Sequence, residues 1–599
     1  MGYFADVCTR SDNLRPACSS CQQIGTPCEY IKQDASTFDA ASLRILDRLS
    51  VIENLVRGLH PSQSLNFSSP SASSSSQRQP VFILPSEIAG IPGSERVTFA
   101  LNLDASFRAA TDKILQWPVF EKPLSPLQRL RFVDFHGSEA HTYLDDLLTQ
   151  SDISTLRPSL DSSRDPSISI NISTERSDIE QLVDQFFTRV NIKNPILSRQ
   201  VASQYCQQYY EHGPLFNLET CLVLLMCSLG AVSMEFDPFD EGQSPGNSPY
   251  SSSRVANLRL GSCYFVAAEK RLGSAISNIN TLAIQCLCLA GIYHMYLIRP
   301  MHALRMFHAA GSSLQILAST GADSHQGKSQ IYSSLFWTCY KSEREILAEI
   351  PICAPALREP GTTDSYPPPP QATSTVPCEW ASYEEDSWYF FLSEIALRRI
   401  TDHVAEVVSN HIDANIRSYN SRSIEELIPI VAEFERQAET FRENLPPAIQ
   451  FPDVPEIAST EWKQYSRGRY YRVLELMHRP FLFTAIHEPG CSTVVQALAE
   501  KALVNALRYL QHSLVSHRHH GTWLQLRNEL KEASLLLAAS KSTGLKMPHG
   551  WEAGVAKSLA TFDYWLWEFP SCRTYANVIL ALTDSPLTST DGEMPTSFT

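Results

Sequence analysis

Four cysteines near the amino terminus carry the clearest chemistry in this 599-residue chain. Cys8 is followed by Cys18-Ser-Ser-Cys21 and, after six intervening residues, by Cys28, in the stretch CTRSDNLRPACSSCQQIGTPCEY. Thiolates are strong zinc ligands, and a Cys-x2-Cys pair can bite one ion while the next turn of chain returns a third sulfur. Four thiolates close at most one tetrahedral site, and Cys8 must swing in to complete it. Two other readings of the pair stay open: unliganded thiols, and a redox couple. The redox couple wants a βαβ setting, and no such pattern surrounds these residues.

Other chemistry-bearing residues are weaker candidates. His517, His519 and His520 stand close together in SHRHHGTW. Adjacent histidines on a helix point different ways, and no cysteine or carboxylate four residues on completes a site, so a polar helix end is expected. Glu343 and Glu345 suggest paired acids, but residues two apart on a helix face away from each other, and salt bridges to Lys341 or Arg344 are expected instead. No G-x-S-x-G, P-loop or dinucleotide fingerprint occurs. The expectation is a protein without catalytic residues.

The elements that must position these groups are helical. From about residue 176 apolar residues recur at helical spacing, as in Ile179, Leu182, Val183, Phe186, Phe187 and Val190, with a capping box predicted at Ser177 and Glu180 and a stop at Pro195. No long stretch alternates with period two, so the fold class is all-α. Leu272 to Ile298 contains no formally charged residue. It is long enough for a bilayer, but Asn278, Asn280, Gln285 and His294 argue for a helix buried in a large domain, with no membrane partner. Tyr366-Pro-Pro-Pro-Pro370 cannot be helical and reads as a connector.

The chain divides into a cysteine-rich segment (1–30), a short helix (42–60), a Ser/Pro-rich linker (61–95), a mixed connecting region (96–175) with an apolar cluster at 114–120, a helical block (176–352), a Pro-rich connector (353–385), a second helical block (386–585) and a polar tail (586–599). In the short helix Ile45, Ile52 and Leu59 share one heptad position and Leu49 and Val56 the other, the pattern of a short coiled coil. It predicts either a dimerisation helix or a helix lying on the main body.

Composition limits the partners. The net charge is −15, and charged residues make up 19% of the chain. Within 1–60, Arg10, Arg15, Lys32, Arg44, Arg48 and Arg57 face Asp6, Asp12, Glu29, Asp34, Asp39, Asp47 and Glu53, a net charge of −1. Phosphate neutralisation supplies most non-specific affinity for DNA, and this segment does not supply it. Fifteen cysteines, most in apolar segments, with no basic and apolar leader before them, point to a reducing compartment.

The motif Arg15-Pro16-Ala17-Cys18, Cys21 and Gly25-Thr26-Pro27-Cys28-Glu29-Tyr30 resembles the second half of the fungal Zn2Cys6 binuclear zinc cluster. LVDQFFTRVNIKNPIL (182–197), YFVAAEKRLG (264–273), RPMHALRMFHAAG (299–311), LFWTCYKSEREILAEI (335–350), YFFLSEIALRRI (389–400) and MHRPFLF (477–483) together resemble the fungal-specific transcription factor domain that accompanies it. The resemblance implies a nuclear transcription regulator with an all-α regulatory region, possible control of a metabolic or biosynthetic gene cluster, and no catalytic residues. It also implies zinc held by Cys18, Cys21 and Cys28 as the fourth to sixth ligands, with Cys8 in the place of the third. The first two ligands, and the basic helix that reads the major groove, have no counterpart. Promoter DNA is therefore a partner only if an intact cluster is restored upstream. The chain as written is expected to bind DNA no more tightly than a generic acidic protein, or to form a homodimer or heterodimer through 42–60. An all-α ligand-binding scaffold or enzyme is a remote further reading.

Overall fold

Helical capping and apolar spacing shape every element that follows. The computed structural model describes residues 111–120, 124, 172–238, 252–319, 330–358, 366–370, 378–415, 424–454, 456–488, 490–542 and 544–583. All lie in one of two compact units, Ser75–Thr599. The cysteine-rich segment and the helix at 42–60 lie outside the described residues.

Among the described residues there are fifteen α-helices and no strand. A first group comprises α1 (Thr111–Ile114), α2 (Arg176–Phe186), α3 (Arg199–His212), α4 (Leu218–Val232), α5 (Ser252–Ser277), α6 (Thr281–Tyr296), α7 (Pro300–Ser319) and α8 (Gln330–Glu349). A second comprises α9 (Cys378–Asn415), α10 (Ile428–Glu443), α11 (Glu461–His487), α12 (Thr493–His512), α13 (Thr522–Ser540), α14 (Trp551–Trp565) and α15 (Ser571–Leu582).

Short polar side chains set several helix starts by accepting from orphan backbone amides. Ser198 caps α3, Asn217 caps α4, Asn280 caps α6 and Ser492 caps α12. The capping box predicted for α2 is absent. Its N-cap is Glu175, without a side-chain cap bond, so Ser177 already sits inside the first turn and Glu180 pairs instead with Arg176 at 2.8 Å. Beyond Phe186 the chain widens into a π-helical turn, Phe187–Asn191, before it reaches Pro195.

The uncharged stretch is two helices, because the Asn280 cap separates the end of α5 from α6. Every residue from Ala283 to Tyr296 is buried by its neighbours. Among the described residues no helix is long and apolar enough to cross a membrane. Helix α4 packs against α2, α3, α5 and α6, and it approaches α2 closely at Gly230. A Cβ there would lie 2.0 Å from the Leu182 carbonyl oxygen, so only glycine fits.

In the second group α11 is central, packed on α9, α10 and α12, while α13 touches α12, α14, α15 and α1. Helix α13 is buried from Thr522 to Ala539, an unusual position for a helix carrying Arg527, Glu529, Lys531 and Glu532. The apolar cluster at 114–120 lies against α11, with Trp117 fully buried edge-on to Phe483 and His487. Residues 366–370 form neither helix nor strand. Tyr366 stacks on Trp337 of α8 at 5.5 Å, and Trp388 of α9 donates to the Pro367 carbonyl at 2.9 Å, so this segment is pinned between the two groups.

Buried ion pairs join the groups. Lys193 meets Glu461 at 2.6 Å, Arg254 meets Glu568 at 2.8 Å, and Arg518 donates to the Tyr296 carbonyl at 2.6 Å. Arg527 reaches Glu349 at 3.2 Å and Asp112 at 2.5 Å.

Candidate ligand cavity

Helix α11 presents Tyr465, Gly468, Arg469 and Arg472 at positions i, i+3, i+4 and i+7, one face of a helix. That face opens onto a cavity of about 70 Å³ closed by Glu394 of α9, Tyr509 and His512 of α12, the loop 513–521, and Leu524, Gln525 and Asn528 of α13. A second cavity of about 40 Å³ lies beside it, between Glu345 and Glu349 of α8, Arg398 of α9, Arg479 of α11 and Lys531 of α13. Arg469, Arg472 and Leu524 wall both.

Gly468 is small for a visible reason. A Cβ would fall 2.2 Å from His512 Nε2, so the imidazole occupies the space a side chain would take. Gln464 fixes the ring's tautomer. Its Oε1 accepts from the Ala458 amide, which leaves Nε2 as donor to His512 Nδ1 at 2.7 Å. The His512 proton therefore sits on Nε2, and burial lowers the ring's pKa well below the usual value, so it is neutral at pH 7.

The three sequence-singled histidines are not a polar helix end. They occupy the loop between α12 and α13, with His517 and His519 buried. His517 Nε2 meets Glu461 at 2.9 Å, whereas His519 accepts from the Gly521 amide at Nδ1 and contacts Gln525 through Nε2. His519 and His520 wall the larger cavity, and burial drives both pKa values well down. The helix rule does not apply, because the segment is a loop between α12 and α13.

Glu343 and Glu345 do face apart, but neither pairs with Lys341 or Arg344. Glu343 meets His308 at 2.6 Å and accepts from the Ala356 amide at 2.9 Å. Glu345 pairs with Arg469, which also holds Glu394 at 2.6 Å. Arg469 lies 124 positions from Glu345 and His308 35 positions from Glu343, partners that within-helix spacing cannot reveal.

Burial dominates the electrostatics here. Burial pushes the Glu349 carboxyl up, but Lys531, Arg527 and hydrogen bonds from Thr111 outweigh it and hold it at about 2. Glu532, buried without a hydrogen-bond partner and close to Glu475, is pushed up to about 8, and Glu529 to about 7. Burial brings Lys341 and Lys531 down to about 8. Among the described residues no group of three or more His, Cys, Asp or Glu side chains is arranged to hold a metal ion. Cys8, Cys18, Cys21 and Cys28 lie outside the described residues.

The sequence reading did not find Arg469, Arg472, Glu394 or Gln464. The only available signal was the polar i, i+3, i+4, i+7 stripe in YSRGRYYR, interrupted by a glycine.

Residues 183–348 match the family model described as the fungal specific transcription factor domain. The matched segment runs from the middle of α2 to the last turn of α8, and it supports a regulatory rather than a catalytic domain. No curated protein and no solved structure matches the chain.

Proposed function

We propose that the chain is a nuclear transcription regulator of the fungal Zn2Cys6 type, its helical unit the regulatory part. The observation that carries this reading is the match of 183–348 to a fungal transcription factor domain. Cys8, Cys18, Cys21 and Cys28 would hold zinc, since four thiolates suit one tetrahedral ion. When bound, the ion would supply folding energy to this short segment rather than chemistry. The helix at 42–60 would pair two copies, or this chain with an intact zinc-cluster partner that contributes the contacts to promoter DNA. The net charge of −1 over residues 1–60 favours the partner reading.

Two measurements test the proposal. The full chain, tethered beside a reporter promoter through an unrelated DNA-binding domain, should change transcription and should concentrate in the nucleus when fluorescently tagged. Exclusion from the nucleus with an unchanged reporter would overturn the reading. Zinc analysis of the purified chain should give at most one ion, lost in Cys18→Ser with Cys21→Ser; two ions per chain would overturn the single-site assignment.

A further inference from the structure

Arg472 is the one arginine on the walls of the two cavities that has no carboxylate partner among the described residues. Arg398 pairs with Asp402, Arg469 with Glu345 and Glu394, and Arg479 with Glu475. Arg472 lies on the wall shared by the two cavities. It feels the charges of Glu532, Lys531 and Tyr509 but forms no direct ion pair or hydrogen bond with a described residue. A guanidinium that stays half-buried without an anion is an unmet demand, because its planar fork matches a carboxylate in bidentate fashion.

A second unmet group lines the larger cavity, on α9. Glu394 is 2% exposed, yet its Oε1 has no hydrogen-bond partner. Asn528, 1% exposed on the α13 wall, likewise leaves Oδ1 without a donor. Buried polar atoms of this kind are costly to leave unsatisfied. Glu394 and Asn528 both call for a donor, whereas Arg472 calls for an acceptor. Tyr465, Leu514 and Leu524 add apolar surface to the lining, and the neutral His512 carries its proton on Nε2.

We infer that the cavity is a binding site for a small monocarboxylic acid that also carries a hydroxyl or ammonium donor. The carboxylate would lie on Arg472, the carbon chain on Leu514 and Leu524, and the donor on Glu394 and Asn528. Size agrees with a molecule of a few carbons: at roughly 10–15 Å³ of such space per water, the 70 Å³ cavity holds about five waters. A doubly charged anion fits poorly, since Arg472 is a single unpaired cation and the Glu394 carboxylate repels a second negative group. The walls of the site are α9, α11, α12 and α13, outside the segment that matches the family model. Through Arg469 and Glu345 the site touches α8, the last helix of that segment. Occupancy would thereby act on the matched helices, a consequence that rests on the reading of the chain as a regulator.

The test uses purified full-length chain and calorimetric titration with 3-hydroxybutyrate, 4-hydroxybutyrate and 4-aminobutyrate, each against its own amide. At least one acid should bind at least about tenfold more tightly than its amide, since the charge-assisted bidentate bond is lost in the amide. The hydroxy acids and the amino acid together identify the donor that Glu394 takes. Arg472→Gln should abolish the difference between acid and amide, and Arg472→Lys should retain part of it, while both variants melt cooperatively. Equal affinity for acids and amides, binding unchanged in Arg472→Gln, or no binding by any acid would each overturn the inference. The acid–amide comparison needs no variant, so a misfolded substitution does not blunt it. Neither DNA nor transcription enters the measurement. A chain that binds acids but leaves a tethered reporter unchanged sinks the regulatory reading alone, and the converse result sinks the cavity assignment alone.

Discussion

Lys193 Nζ stands 2.6 Å from Glu461 Oε1, a largely buried ion pair between residues 268 positions apart. Lys193 lies within the segment that matches the family model, and Glu461 opens α11 beyond it. Burial lowers the lysine, but Glu461 and Tyr296 outweigh it and raise its pKa; burial raises the glutamate, but Lys193 and His517 outweigh it and hold it at about 2. Removing one partner strands a buried charge. Lys193→Met should destabilise the chain by about 3–5 kcal/mol in urea unfolding, and adding Glu461→Gln should restore part of the loss because no charge is then left alone. A second substitution that deepens the loss would show that the pair is not the unit of stability.

Stability should fall as pH rises through the neutral range because of α13. Glu532 has a folded pKa of about 8 and Glu529 of about 7, both raised chiefly by burial. An acid with a raised folded pKa contributes fully below its unfolded value, near 4.5, and the contribution is lost as pH climbs toward the folded value. Each such proton adds a slope of up to about 1.4 kcal/mol per pH unit within that window. Glu532→Gln imitates the protonated acid, so the variant should gain on the parent chain from pH 5 to pH 8, as read by melting temperatures. Parallel pH profiles for the two proteins would refute this.

Gly230→Ala should loosen the joint between α2 and α4. The new Cβ would meet the Leu182 carbonyl oxygen at 2.0 Å, and backbone cannot swing aside as a side chain does. Overpacking of this kind costs about 1–3 kcal/mol, against a small gain in helix propensity. Hydrogen exchange in α2 should rise before exchange in α13 does; uniform loss across the chain would count against a local cause.

Ile52→Asp with Val56→Asp should abolish pairing through 42–60, because both residues lie on the predicted apolar seam. Light scattering of the full chain, and co-purification with an intact zinc-cluster partner, should both drop to monomer level. Unchanged mass and unchanged co-purification would assign that helix to the main body.

The helices were readable because apolar spacing of 3.6 residues is a local property, as the run from Ile179 to Val190 illustrates. The cavity was not, because its groups are contributed by separate helices and its charges are buried. Arg469 finds Glu345 and Glu394 across the packed core, and a sequence rule for charges sees only neighbours three or four positions away. The inward fold of the His517–His520 loop was hidden for a related reason: polar residues predict exposure until partners such as Glu461 and Gln525 are brought to them.

The buried bridges across the helical groups bear on how this chain can be cut. A fragment trimmed to residues 183–348 would keep Lys193 and Arg254 but lose Glu461 and Glu568, and it would uncover the faces of α6 and α8 that meet α13 and α9. Such a piece would present stranded cations beside bare apolar surface, the composition of an aggregating protein rather than an autonomous one. The span over which ancestry is recognisable is therefore shorter than the span over which the chain can fold.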